Sequence, residues 1–153
     1  MHHLIGIDPG TQCGWAVLTH DGKRISSGVW NLRPRRHESS GYRYVRLAKA
    51  LGELLDLFPT AHLAYEEVAR HRGTAAAHIY GGIIATVQSL CEERKVPYVG
   101  APVGTVKRLA TGKGNANKKA VMGATRIRWK YLPQDDNEAD ALWIAETLRE
   151  GLL

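Results

Sequence analysis

Acidic residues stand at three separated places where their neighbours give them no ordinary surface role. Asp8 closes the apolar run His3-Leu4-Ile5-Gly6-Ile7, Glu66-Glu67 close a second run, and Asp140 sits between Ala139 and Ala141. Asp140 lies beyond the first turn of its helix, where a carboxylate adds little to capping and is costly to desolvate without a cation or a donor. Carboxylates gathered together repel and shift one another's pKa values, so divalent cations are their natural neutralising partner. Magnesium takes hard oxygen ligands, commonly one or two carboxylates with phosphate oxygens and water. Two such ions about 3.5–4 Å apart can activate a water on one side of a phosphodiester and stabilise the leaving oxygen on the other. Side chains alternate along a strand, so only one of Glu66 and Glu67 can join such a cluster. Each acid also has a plainer reading: Asp8 as a turn residue before Pro9-Gly10, and Asp135 and Asp136 as caps of the last helix.

The surrounding charge points to a polyanion. Lys and Arg number 21 against 15 Asp and Glu, a net charge of +6. Between Arg94 and Gln134 lie Arg94, Lys95, Lys107, Arg108, Lys113, Lys118, Lys119, Arg126, Arg128 and Lys130, with no carboxylate. A second basic group, Arg33, Arg35, Arg36, Arg43 and Arg46, surrounds Pro34 and the helix after it. One-signed stretches of this kind suit nucleic acid, because each neutralised phosphate releases condensed counterion, although a solvated basic face reads the same way. Acids placed beside a phosphate path make sense mainly if metal ions join them.

The elements that must position these groups follow from periodicity. Runs at 3–8, 14–20 and 25–32 read as strands, the last two flanking Asp21-Gly22 as a tight hairpin. Apolar residues from Tyr44 to Phe58 recur every three or four positions, a helix stopped by Pro59. Residues 61–68 form a further strand and 70–74 a polar loop. A long helix covers about 75–94, its Gly81-Gly82 pair suited to the close approach of another helix or a second subunit. A strand at 96–100, a small helix near 103–110 and a basic loop at 111–115 follow. Asn117 caps a helix to about Lys130, and Asp135 with Glu138 makes a capping-box start for the last. The order βββαβαβααα is a mixed α/β fold.

With 153 residues, 44% hydrophobic and 24% charged, the chain is expected to form one domain spanning 1–153. It has no apolar stretch of the roughly 20 residues that cross a bilayer and no export signal, so it is expected to be cytoplasmic and without a membrane partner. Cys13 and Cys91 show neither zinc-site spacing nor disulfide density. His71 and His78 pair with no Ser or Cys, so no nucleophilic triad is legible. The four tryptophans sit among apolar neighbours and read mostly as core.

The sequence also resembles the RuvC-type Holliday junction resolvases of the ribonuclease H-like superfamily, over almost its whole length. Gly6-Ile7-Asp8-Pro9-Gly10-Thr11 looks like that family's opening motif, Tyr65-Glu66-Glu67-Val68 its second acidic strand, and Asn137-Glu138-Ala139-Asp140-Ala141-Leu142 its closing helix motif. The resemblance implies a ribonuclease H-like mixed five-stranded sheet, three strands antiparallel and two parallel, flanked by helices. It implies a homodimer that nicks paired strands of branched DNA with two Mg2+ per active site, Mn2+ as a substitute. A helicase partner is not specified. Asp8, Glu66 and Asp140 are the implied metal ligands and catalytic acids. The family's fourth ligand, an acid or histidine three residues before the last Asp, is Asn137 here, leaving Asn137 through its amide oxygen or Asp136 as the fourth. Lys107 and Lys118 fall where the family places DNA-contacting lysines, with Lys113 and Lys119 beside them. Where the bacterial family carries an aromatic wedge after Glu66 this chain has Ala69, so Arg70, His71 or Arg72 is expected to take over by stacking or phosphate binding.

Three other readings remain at this stage: a ribonuclease H-like nuclease of flaps, forks or RNA; a non-catalytic junction-binding protein; and a nucleotide-binding kinase fragment, disfavoured by length.

Overall fold

The computed structural model describes residues 1–71 and 73–153. Its five strands are β1 (Leu4–Asp8), β2 (Gln12–Leu18), β3 (Arg24–Asn31), β4 (His62–Glu67) and β5 (Tyr98–Pro102). They form one sheet in the order β3-β2-β1-β4-β5, with β3, β2 and β1 antiparallel and β4 and β5 added parallel. The helices are α1 (Tyr42–Leu57), α2 (Thr74–Arg94), α3 (Val103–Thr111), α4 (Lys118–Trp129) and α5 (Asp136–Arg149). The expected mixed five-stranded sheet is therefore present. Strand β2 begins two residues earlier than its apolar run suggested, and β5 starts two later. The Asp21-Gly22 turn is wider than a two-residue hairpin, because Thr19 closes the loop with backbone bonds to Gly22 and Lys23.

Alternation along the strands assigns each side chain to a face. Ile5, Ile7, Val17, Leu63 and Tyr65 join α1 and α2 in one core. Leu4, Ala16, Leu18 and Ala64 turn the other way, into the clusters built with α3, α4 and α5. Asp8 shares the parity of Leu4, and Glu66 that of Ala64, so both carboxylates leave the sheet on the α5 side. Glu67 has the opposite parity and is exposed.

Two glycines let α5 lie directly on the sheet. A Cβ on Gly6 would collide with the Ala141 carbonyl, and one on Gly14 with the Asn137 carbonyl. Gly14 pairs with Asp8 across β1 and β2, so this contact sets the start of α5 beside the end of β1. A third close contact changes the reading of the Gly81-Gly82 pair. A Cβ on Gly82 would overlap the Tyr44 ring, so α1 of the same chain accounts for Gly82, whereas Gly81 meets nothing within 4 Å.

The start of α5 departs from the capping box in one respect. Asp135 Oδ1 accepts from Glu138 N at 3.0 Å, as expected of an N-cap. Glu138, however, is fully buried and does not reach back to Asp135. It accepts from Gln134 N at 2.6 Å, Ser27 at 2.5 Å and Tyr131 at 2.6 Å, with Arg24 4.0 Å away. A carboxylate beneath β3 finds more donors there than at the helix end, and it ties the base of α5 to the sheet edge.

Candidate active site

Strands β1 and β4 run parallel with Ile7 beside Tyr65, so the next residues, Asp8 and Glu66, emerge side by side on one face. Helix α5 then carries Asp140 over the same end. Asp8 is only 7% exposed. Burial first, then the negative charges of Glu66 and Asp140 and a hydrogen bond shared with Glu66, hold its carboxyl well above the usual range; Asp136 adds to the effect. Asp140 is pushed up to about 7, by burial and then by Glu66 and Asp136, while Lys107 and Lys118 pull the other way. Four carboxylates from three elements thus repel one another, with two lysines within electrostatic reach.

Among the described residues, no three Asp, Glu, His or Cys side chains stand close enough together to hold a metal ion between them. The acids act on one another electrostatically, Glu66 and Asp136 each raising the proton affinity of both Asp8 and Asp140. An all-oxygen donor set, buried and mutually repelling, fits hard divalent metal ions far better than it fits an empty pocket.

Asp136 and Asn137, the two candidates for a fourth ligand, differ in surroundings. Asp136 acts on both Asp8 and Asp140 and pairs with Lys118 at 3.2 Å. Asn137 turns its amide nitrogen to Asp135 Oδ2 at 3.3 Å. Lys118 is exposed at the start of α4, whose cap Asn117 accepts from Ala120 N at 2.9 Å, and Lys107 is half-buried on α3. Lys113 and Lys119 are exposed near the 112–117 loop, farther along the same flank. Arg70 is exposed past the end of β4, and Arg72 lies outside the described residues.

Beyond Glu66, His71 packs against Tyr80 with ring centroids 4.5 Å apart. Both line a cavity of about 280 Å3 with Pro9, Gly10 and Thr11, the turn that follows Asp8 in the chain. Tyr80 escaped the sequence reading. Its hydroxyl donates to the Glu66 carbonyl at 2.9 Å and accepts from Val68 N at 3.1 Å, pinning the end of β4 and with it the Glu66 side chain. A tyrosine inside an α2 stripe has no spacing that marks this role. The cysteines take no part: both are buried, and burial pushes the Cys91 thiol up to about 12 and Cys13 higher still, Asp8 adding to the latter.

Burial and repulsion together have a measurable cost for the metal-free protein. Asp140 ionises near pH 3.8 when unfolded and near 7 when folded, so the folded state holds the extra proton between those values and stability falls as pH rises. The expected loss from pH 4 to above 7 is at most about 4 kcal/mol. Comparing the denaturation midpoints of Asp140→Asn and the parent chain across that range, in chelator, isolates the contribution. The variant should be the more stable at pH 8 and lose its advantage near pH 4, and added magnesium should close the gap by stabilising the parent. Equal pH profiles would count against a buried, crowded Asp140 carboxylate.

Comparisons with known proteins show the family and the fold. A family model described as crossover junction endodeoxyribonuclease RuvC matches residues 4–148. The RuvC of Thermomicrobium roseum is 30% identical over 147 residues, covering 93% of this chain and 89% of that protein. The RuvC of Pseudothermotoga lettingae is 28% identical, covering 93% and 90%. Among solved structures, T. thermophilus RuvC in complex with a Holliday junction substrate superposes with a TM-score of 0.86 at 26% identity, over 99% of this chain and 97% of that one. The yeast mitochondrial Holliday junction resolvase Ydc2 shares the fold, with a TM-score of 0.63 at 16% identity over 97% of this chain and 79% of that one.

Proposed function

The chain belongs to the RuvC family of crossover junction endodeoxyribonucleases, and from that premise we propose that it resolves four-way DNA junctions with Asp8, Glu66, Asp140 and Asp136 as the ligands of two magnesium ions. The observation that carries the assignment is the shared face: Asp8 and Glu66 leave parallel neighbouring strands on the side covered by α5, and Glu66 raises the proton affinity of both Asp8 and Asp140 there.

Divalent cations held by these carboxylates supply the Lewis acidity that phosphodiester hydrolysis requires at neutral pH. The chain's own groups do the rest. Asp8, at the buried floor of the set, fixes the depth to which a phosphate can descend. Lys107, close enough to lower the proton affinity of Asp140, holds a phosphate oxygen against the acids. Lys118 exchanges its pairing with Asp136 for a phosphate of the same strand, and Lys113, Lys119 and Arg70 extend the positive track. His71, braced on Tyr80, offers an imidazole face beside Pro9 and Gly10 where Ala69 has none.

Asp136 is preferred to Asn137 because it is charged and acts on both Asp8 and Asp140. Asp136→Ala is expected to cut the cleavage rate about 10- to 100-fold and to raise the magnesium concentration needed for half-activity, the scale typical of lost metal-site support. Asn137→Ala should cost only a few-fold. A magnesium titration of both variants checks this, and the reverse order would transfer the role to Asn137.

Two scissile phosphates related by a two-fold axis require two active sites with the same symmetry. We assign the dimer contact to the outward side of α2 around Gly81, where a Cβ would meet nothing within 4 Å among the described residues. The decisive assay incubates the protein with a synthetic four-way junction, with and without magnesium, beside linear duplex and flap controls. Paired nicks in the junction alone support this reading. Cleavage of flaps alone, or binding without nicks, refutes it.

A further inference from the structure

We infer that the loop between β3 and α1 is a second phosphate-binding site, formed by Arg33, Arg35, Arg36 and Arg43, which grips DNA on the side of the acids opposite the lysines. The inference rests on the branched-DNA reading above and adds binding residues to it.

The loop starts at the acidic end of the sheet. Asn31 closes β3 opposite Gln12, and Leu32 N donates to the Thr11 carbonyl at 2.7 Å. Thr11 is three residues from Asp8, at most about 11 Å of chain. Helix α1, which follows the loop, packs with α2 on the face of the sheet away from α5. The lysines of α3 and α4 come from the α5 face. The two basic groups therefore approach the acids from opposite sides, as clamps on a strand lying between them would.

The loop is held rather than loose. Glu38 accepts from Arg35 N at 2.7 Å and from both Arg46 Nη2 contacts, at 2.7 and 2.8 Å. Arg46 Nη1 donates to the Arg33 carbonyl at 3.2 Å, and Arg33 N donates to Asn31 at 3.1 Å. Glu38 is the only carboxylate between Gly22 and Gly52, and Arg46 occupies it. Among the described residues, Arg33, Arg35, Arg36 and Arg43 have no ion-pair partner, and the first three are exposed. Arg43 Nε is buried and has no hydrogen-bond partner, a donor whose burial is costly unless an acceptor arrives. Helix α1 adds no acid in its first turn and no side-chain cap. Four unpaired guanidiniums on a tethered scaffold match the paired oxygens of successive phosphates, which arginine recognises through two parallel bonds.

The test is the salt dependence of binding to a synthetic four-way junction, measured in chelator with the full chain. Each lost phosphate contact lowers the slope of log affinity against log salt by about 0.9. The triple variant Arg33→Ala, Arg35→Ala, Arg36→Ala should lower the slope by about 2–3 and weaken binding at least about tenfold at 100 mM salt. Its melting temperature should match the parent's, since these side chains are exposed. The matching triple Arg→Lys variant keeps the charge and should keep the slope. An unchanged slope and affinity in the alanine variant, with a parent chain that binds the junction, overturns this site and leaves the junction reading standing. So does a lysine variant that loses as much slope as the alanine one. A parent chain that fails to bind branched DNA removes the foundation of both.

Discussion

An Asp8→Asn protein is expected to cleave a four-way junction at least about a thousandfold more slowly than the parent at saturating magnesium, a barrier increase of some 4 kcal/mol, while binding that junction equally or more tightly. The two outcomes share one cause. Asp8 is the most buried of the clustered acids and is opposed by Glu66, Asp140 and Asp136, so removing its charge leaves the remaining carboxylates with too little negative potential to hold metal. The same change removes repulsion from the path of the DNA phosphates. The amide is nearly isosteric, so the fold should survive. A single-turnover cleavage assay paired with a binding titration in chelator reads both effects. Substantial nicking by the variant would exclude Asp8 as a ligand, and a parallel loss of binding would point to misfolding.

The second large effect comes from a residue that touches no substrate. Gly14→Ala places a methyl group against the Asn137 carbonyl, backbone against backbone, where no side-chain rotation gives relief. Overpacking of this kind costs about 1–3 kcal/mol or more. Helix α5 must lift at the end that carries Asp136 and Asp140, and a displacement near 1 Å at a reacting centre is worth about 10²-fold in rate. The variant should therefore melt several degrees lower and, at a temperature where it is fully folded, cleave about a hundredfold more slowly. Ala16→Gly, on the same strand and face, should lose stability without a comparable loss of rate. If Gly14→Ala keeps its activity when folded, α5 does not depend on that contact for its position.

Much of this site was legible in the residues because strand parity and strand order are strong signals. Asp8 and Glu66 each end an apolar run, so their placement at one end of neighbouring strands follows from the alternation and the mixed topology. Asp140 stood out because alanines on both sides exclude a simple surface role. What stayed hidden depended on contacts between distant segments. Glu138 reads locally as half of a capping box, yet its partners Ser27 and Arg24 come from a strand more than a hundred residues earlier, and no spacing announces them. Tyr80 grips the end of β4 from the second turn of α2, among mostly small and apolar neighbours. Gly82 reads as an opening for any neighbour, and only the packing of α1 shows that Tyr44 fills it. The sequence likewise left Asp136 and Asn137 level, because the action of Asp136 on Asp8 and Asp140 depends on how α5 meets β1.

The shared parity of β1 and β4 also limits how this chain can vary in length. Inserting or deleting one residue within 4–8 or 62–67 turns Asp8 or Glu66 toward α1 and α2, burying a carboxylate among leucines and emptying its place beside α5. The 33–41 and 112–117 loops, which lie outside both strands, can gain or lose residues without moving either acid. Length differences among functional relatives should therefore collect in those loops, where they would change the reach of the arginines and lysines and hence the grip on DNA, while the spacing within the two acidic strands stays fixed.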